Sequence, residues 1–318
     1  INLGLLNQEN VTYFAYFISH LILCNDIKSL DLIFKHCQLY DVNDSEIHKF
    51  SSIISTTLLG LKEKNAIGIY SELLHTQNFR DSVPFLFIDY ANLTSRYLKI
   101  LELINKKSDR PSDLFFVSLM KFHLYFYTEK ISDIAKYELQ VPKGFDSFYP
   151  VLIGRYYGYL VLRSIKLEKT LKQQIIALCK RSKNISMVIE EIIPALIIKN
   201  EISFLDHIST KYYEEILESD KWSSPTTNAI FIIGLACVQI DKNDFKAATI
   251  NLNLIDLKKI ELSYEIYISL FYFLTSLKIS FHKKLKAQNR LEFSQIKRLV
   301  KISKFTKFSK EADKFRLG

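Results

Sequence analysis

The last 37 residues of the chain, His282 to Gly318, hold its densest set of side chains able to do chemistry. Lys283, Lys284, Lys286, Arg290, Lys297, Arg298, Lys301, Lys304, Lys307, Lys310, Lys314 and Arg316 are set there against only Glu292, Glu311 and Asp313. Removing these 12 and 3 from the chain totals of 43 basic and 34 acidic residues leaves 31 of each, so residues 1–281 are neutral and the net charge of +9 lies in the tail. Ammonium and guanidinium groups at this density neutralise phosphates or carboxylates and release their counterions, which points to a polyanionic or acidic partner. On a helix Lys283, Lys286, Arg290, Lys297, Lys301 and Lys304 recur at intervals of three, four or seven and form one cationic stripe. Phe293, Ile296 and Val300 form an apolar stripe beside it, so the segment is expected to pack as a final helix with its charge outward. With Arg298 and Lys307, those six are the candidate nucleic-acid-binding residues. The same pattern also fits an end cap whose lysines keep the last unit of a helical array soluble.

Other chemistry is sparse. Arg155 followed by Tyr156, Tyr157 and Tyr159 could stack on bases or hold a peptide, although an apolar helix face accounts for the same stripe and is the favoured reading. Glu190-Glu191 and Glu214-Glu215 offer carboxylate pairs for acid–base work; neighbouring acids on a helix more often form a solvated face. His36-Cys37 could supply two metal ligands, but adjacent helical residues point apart and no matching pair follows. A Gly-rich phosphate loop, an HExxH, a paired CxxC and a GxSxG are all missing from the sequence. Neither enzymatic activity nor a metal or cofactor is therefore expected.

The elements that position these residues are expected to be helices. At 48% hydrophobic and 13% aromatic the chain is too apolar for intrinsic disorder. Its 8 Gly and 6 Pro are too few for the frequent turns of a β-sandwich or a doubly wound sheet, which favours long helices and short loops. Cys24, Cys37, Cys179 and Cys237 lie far apart within apolar helical patterns and read as small buried hydrophobes of a reducing, intracellular compartment. The most apolar run, Ala229 to Val238, is about half the length a bilayer crossing needs, so no transmembrane helix is expected. A chain that opens at Ile1 without Met reads as a processed or truncated product.

Helical patterns recur in pairs. In the first unit, Asn10 to Asp44, Val11, Tyr13, Phe14, Phe17, Ile18, Leu21 and Ile22 form one stripe, Asn25-Asp26 break it, and Leu30, Leu32, Ile33 and Phe34 form a second. Later second helices are expected around 66–70, 97–101, 132–135 and 170–171, spaced by 31, 35 and 38 positions. A further pair spans Ile185 to Ile198 and Ser203 to Ile216. Helix starts are expected at Ser82-Val83-Pro84, Arg110-Pro111 and Ser224-Pro225. Pro194, inside an apolar stretch, predicts a kink or a break.

Two of these units resemble known helical-repeat families. Ala229 through Gly234, Ala236 and Cys237, followed by Asn243-Asp244-Phe245-Lys246-Ala247-Ala248, resembles a tetratricopeptide repeat with about two extra residues between its helices. Val11-Thr12-Tyr13 through Asn25-Asp26-Ile27 and Leu30-Asp31-Leu32-Ile33-Phe34 resembles a pentatricopeptide repeat. After Thr12-Tyr13, where such repeats carry a small base-reading residue, this chain has Phe14. The resemblances imply an all-α fold, an α-solenoid of antiparallel helical pairs over residues 1–281, with a basic C-terminal helical extension over 282–318. The pentatricopeptide likeness implies a noncatalytic protein that binds RNA or a ribonucleoprotein, in organellar RNA maturation, stability or translation, with the mitochondrion as one such setting. The tetratricopeptide likeness implies instead a scaffold holding a peptide or protein partner in a concave groove. A peptide-sensing regulator of the same architecture is a third reading, ranked lower because no helix-turn-helix is evident at the N-terminus.

Overall fold

Asn25, Asn200, Asn243 and Lys284 share one backbone conformation, left-handed with φ between 55° and 60°, and each ends a helix in the same way. The next amide reaches back five residues, from Asp26 to Leu21, Glu201 to Leu196, Asp244 to Gln239 and Leu285 to Ser280, at 2.8 to 3.0 Å. The amide of the left-handed residue itself reaches back three, to Ile22, Ile197, Ile240 and Phe281. This paired pattern satisfies carbonyls that a helix end otherwise leaves open, and asparagine tolerates the left-handed region better than most side chains. At two of the turns the following acid starts the next helix. Asp26 Oδ1 accepts from the Ser29 amide at 3.2 Å and Asp244 Oδ1 from the Ala247 amide at 2.9 Å. Hydrogen bonds from Ser29 hold the Asp26 carboxyl below its usual range. A short asparagine–acid step thus closes one helix and opens another.

The structure, a computed structural model, describes residues 8–36, 150–164, 166–181, 185–217, 225–260, 262–303 and 305–317, with isolated positions between 50 and 76. The regular elements among those residues are all helices, with no strand among them. The N-terminal pair is α1 (Gln8–Leu23) and α2 (Ile27–His36). Then come α3 (Pro150–Arg163), α4 (Lys169–Arg181), α5 (Ile185–Lys199), α6 (Ile202–Leu217), α7 (Pro225–Asp241) and α8 (Phe245–Leu252). After a 3-10 turn, Leu257–Lys259, the chain ends in α9 (Leu262–His282), α10 (Lys286–Ser303) and α11 (Thr306–Asp313). The expected pair at 185–198 and 203–216 coincides with α5 and α6, and the start at Pro225 with that of α7. The second helices expected at 97–101 and 132–135 and the starts at Pro84 and Pro111 lie outside the described residues, as do Cys37 and Lys304. Of the block at 66–70, Gly68 and Ile69 are helical.

The packing of 150–317 is organised around α5, whose most extensive neighbour is α3 and which also packs against α6 and α7. Gly154 and Gly158, one turn apart on α3, make that contact a backbone-to-backbone approach. A Cβ on Gly154 would lie 2.6 Å from the Val188 carbonyl oxygen, and one on Gly158 would lie 2.8 Å from that of Glu191. On α7, Gly234 meets the side chains of Ile193 and Leu205, so the small residue fits α7 against α5 and α6; α7 also packs against α8.

Several expectations are corrected. Pro194 does not break α5, which runs unbroken from Ile185 to Lys199. Its missing amide costs about 3 kcal/mol, but Ile192, Ile193 and Leu196 around it are 1% exposed or less, each contributing on the order of 1.5–3 kcal/mol by burial. The α1 stripe divides: Val11, Ile18 and Ile22 are buried with Ala15, whereas Tyr13 and Phe17 turn outward at 76% and 49% exposure, as does Leu32 on α2. Phe14 packs inward, its ring 5.6 Å from that of Phe50 and 5.9 Å from that of Phe34. Cys179 and Cys237 are buried, and burial pushes the Cys237 thiol up. Cys24 is exposed in the turn that closes α1, 3.7 Å from His20.

Gly154→Ala should destabilise the protein by about 1–3 kcal/mol through overpacking against the Val188 backbone. Gly68→Ala, where an added Cβ meets nothing within 4 Å, should be neutral or should stabilise by up to about 1 kcal/mol through helix propensity. Urea midpoints of the two variants check this, and equal midpoints would mean that α3 and α5 do not approach so closely.

Candidate nucleic-acid interface

The basic tail folds as two helices, not the single one expected. Ser303 ends α10, its Oγ accepts from the Phe305 amide at 3.2 Å, and fully buried Phe305 leads into α11. The buried face of α10 alternates apolar and polar residues: Ile296, Leu299 and Val300 with Asn289, Glu292 and Ser303. Asn289 and Glu292 are fastened to α9, Asn289 donating to Ser280 at 3.2 Å. Glu292 accepts hydrogen bonds from Ser276, from Ser280 at 2.7 Å and from Gln288 at 2.8 Å. Asn289, with no exposed surface, donates to the Phe315 carbonyl at 2.9 Å and accepts from the Leu317 amide at 2.8 Å. One side chain on α10 thereby fixes the chain beyond α11. Phe308 of α11 completes the contact, edge-on to Phe271 of α9 at 5.0 Å between ring centres. Burying a carboxylate and an amide is costly unless they are hydrogen-bonded, and here they are, so the tail is tied to the helices before it.

On this support the cations separate by environment. Lys286, Arg290, Arg298 and Lys301 are exposed on α10. At about 100° per residue, Lys286, Arg290, Lys297 and Lys301 fall within about 60° of the helix circumference, and Arg298 about 60° further round. Lys297 is the exception in that stripe. It is half-buried, pairs with Asp313 at 3.0 Å, donates to Ser309 and lies 5.0 Å from the centre of the Phe293 ring. Its charge joins α10 to α11 rather than facing outward alone. Lys283, in the turn before α10, is exposed and donates to Thr249 of α8 at 3.0 Å. Lys307 is half-buried on α11, and Lys304 lies outside the described residues. Arg316, exposed past the end of α11, sits 5.0 Å from the Phe293 ring centre.

The other candidates belong to the interior. Arg155 is 2% exposed and forks onto Glu191, its Nη2 donating to Oε1 and its Nε to Oε2 at 3.2 Å. Tyr159 is 1% exposed, and half-buried Tyr156 lies against Tyr157 and Tyr159 with ring centres 5.6 and 6.5 Å apart. Burial, with the neighbouring tyrosines, pushes the Tyr156 phenol up. Arg155 and Tyr159 are therefore not a stacking platform. Glu190 and Glu191 are not a solvated face either: Glu190 is 3% exposed and accepts from Thr227 of α7 at 2.7 Å. The two acids of α5 reach in opposite directions in the chain, one to α3 and one to α7. Of Glu214 and Glu215, the structure gives the backbone, within α6.

Sequence reading passed over Asn289 and Glu292, since an Asn and a Glu in a basic helix look like solvent residues. The available signal is that both fall among Ile296, Leu299 and Val300 on the helical wheel.

Asn289→Ala should cost about 1–3 kcal/mol by leaving the Phe315 carbonyl and Leu317 amide without their partner, and the Leu317 amide should exchange with solvent faster while α9 amides stay protected. Unchanged exchange at Leu317 would show that the C-terminus is held by other means. Arg155→Ala should cost about 3–5 kcal/mol, because it strands a buried carboxylate, whereas Arg155→Met with Glu191→Leu should recover most of that loss. Chemical denaturation of the single and double variants checks the pair. No protein-family model, curated protein sequence or solved structure matches this chain.

Proposed function

We propose that this protein is a noncatalytic helical scaffold that binds RNA or a ribonucleoprotein, with α10 as the face that meets the phosphates. The observation that carries the reading is the display of Lys286, Arg290, Arg298 and Lys301, exposed on one helix that a buried polar network fastens to α9. From Lys286 to Lys301 these charges extend about 22 Å along the helix. A solubilising cap needs a polar surface, but it does not need the whole excess charge of a 318-residue chain gathered on one terminal segment. The helical-pair organisation implied by the pentatricopeptide likeness supports the same reading, with organellar, including mitochondrial, RNA maturation or translation as its setting. Phe14, turned into the core, supports backbone-directed over base-by-base recognition in the first unit.

A second reading, a tetratricopeptide-like scaffold for a protein partner, has its own support at the other end of the chain. Tyr13, Tyr16 and Phe17 are 76%, 60% and 49% exposed on α1, with Leu32 of α2 also outward. Aromatic side chains displayed this way are favoured at protein interfaces.

Binding of the intact protein to labelled single-stranded RNA across a salt series tests the first reading. Lys286→Glu, Arg290→Glu and Lys301→Glu together should weaken binding at least about a hundredfold, and the slope of log affinity against log salt should fall by about 0.7 for each lost phosphate contact. Equal affinity and slope in the triple variant would remove α10 as the interface and shift the weight to the protein-scaffold reading.

A further inference from the structure

Between the end of α5, the middle of α9 and one side of α11 lies a cleft of about 330 Å³, and none of its lining residues belongs to α10. Its volume is at the lower end of the range for small-molecule sites, about 300–1,000 Å³. Ile197 and Ile198 of α5 and Leu274 of α9 supply an aliphatic wall, closed by Phe271 and Phe308. Lys278, Lys307 and Lys314 stand on its lining with Glu311 as the single acid, a formal charge of +2 over the lining residues. Glu311 is matched by Lys314 at 2.7 Å. An apolar cavity edged by excess ammonium charge complements one kind of molecule, an apolar body with an anionic head.

The packing also narrows the body. Phe271 and Phe308 are already engaged edge-to-face with each other, and the Phe315 ring is engaged by Phe281 and lies 5.4 Å from the Lys278 ammonium. Asn200 is the single side-chain amide in the lining. With the rings committed and so few groups able to read a base edge, the remaining wall is aliphatic. We infer that this cleft binds a free medium-chain acyl carboxylate, the chain lying along Ile197, Ile198 and Leu274 and the carboxylate held by Lys278, beside the Lys314–Glu311 pair. This site is independent of the RNA reading, because its cations are not those of α10.

Calorimetric titration of the full chain with hexanoate, octanoate and decanoate tests the inference. Affinity should rise about fourfold for each added methylene until the cleft is filled. Lys278→Gln should weaken decanoate binding at least tenfold while leaving the weaker binding of neutral decanol unchanged. Ile198→Trp, which fills the cleft from a half-buried position, should abolish both, and a thermal midpoint within a few degrees of the parent's shows that each variant is folded. Absence of decanoate binding at millimolar concentration, chain-length-independent binding, or equal affinity in the lysine variant would overturn the site. Binding to vesicles containing an anionic phospholipid without binding to soluble decanoate would overturn it too, since the source would then be a membrane surface. The α10 triple variant should bind decanoate like the parent, so failure here and failure of RNA binding are separately readable.

Discussion

The approach of α3 to α5 is the constraint on which the arrangement of residues 150–317 depends. Gly154 and Gly158 bring the two backbones so close that a single added methyl group on either would meet a carbonyl oxygen. Close contact of this kind excludes water from everything beside it, and Arg155, one residue after Gly154, is carried into that dry interface. A buried guanidinium requires a carboxylate in the right place, and Glu191 meets it with both oxygens, at Nε and Nη2. Replacing both charges by apolar groups of similar volume is often neutral for stability, so the pair is better understood as fixing how the helices are set against each other. Glu190, the preceding residue, ties α5 to α7 through Thr227. Two adjacent acids on one helix thus hold a layer on either side, and α5 becomes the element against which its neighbours are registered.

The connections impose a second, more local constraint. A left-handed residue that closes one helix allows the next to follow within three residues, a step that recurs at Asn25-Asp26, Asn200-Glu201 and Asn243-Asp244, and at the first and last of these the acid's side chain also caps the helix it opens. At Lys284 the same backbone pattern is made by a residue that has no special preference for it. The strain there is accepted by a turn whose two sides are already held: Asn289 and Glu292 lock α10 to α9, and Lys283 reaches α8. Tertiary contact decides the turn where local preference does not.

This division explains what could be read from the residues alone. The all-helical character, the Asn25-Asp26 break, the start of α7 at Pro225 and the limits of α5 and α6 are local matters of periodicity, capping and proline position, and they were legible to within a residue or two. Most of the failures involve a partner distant in sequence. Glu190 and Glu191 look solvated until Thr227 and Arg155, 37 and 36 positions away, are placed beside them. Lys297 looks like a member of a free stripe until α11 folds back and offers Asp313. Tyr13 and Phe17 carry the apolar signal of a core face, but nothing in their own spacing says which of two adjoining apolar sectors the next helix will cover. Pro194 breaks an isolated helix and does not break one whose flanks are buried on several sides.

The same logic bears on the charged tail. A flexible polybasic segment would attract a polyanion at long range, but ordering its side chains and backbone on binding would offset part of the gain. Here the backbone is already ordered, because Asn289 and Glu292 fix α10 through groups on its buried side and leave the opposite side to Lys286, Arg290, Arg298 and Lys301. The polar residues that look out of place on the inner face of a terminal helix are what make the outer face rigid. Lys297 and Asp313 extend that rigidity to α11, at the cost of one cation to the stripe. Under the RNA-binding reading proposed above, a polyanion meeting α10 would find its cations carried on a backbone already held in place, so less ordering would accompany binding than on a flexible polybasic segment.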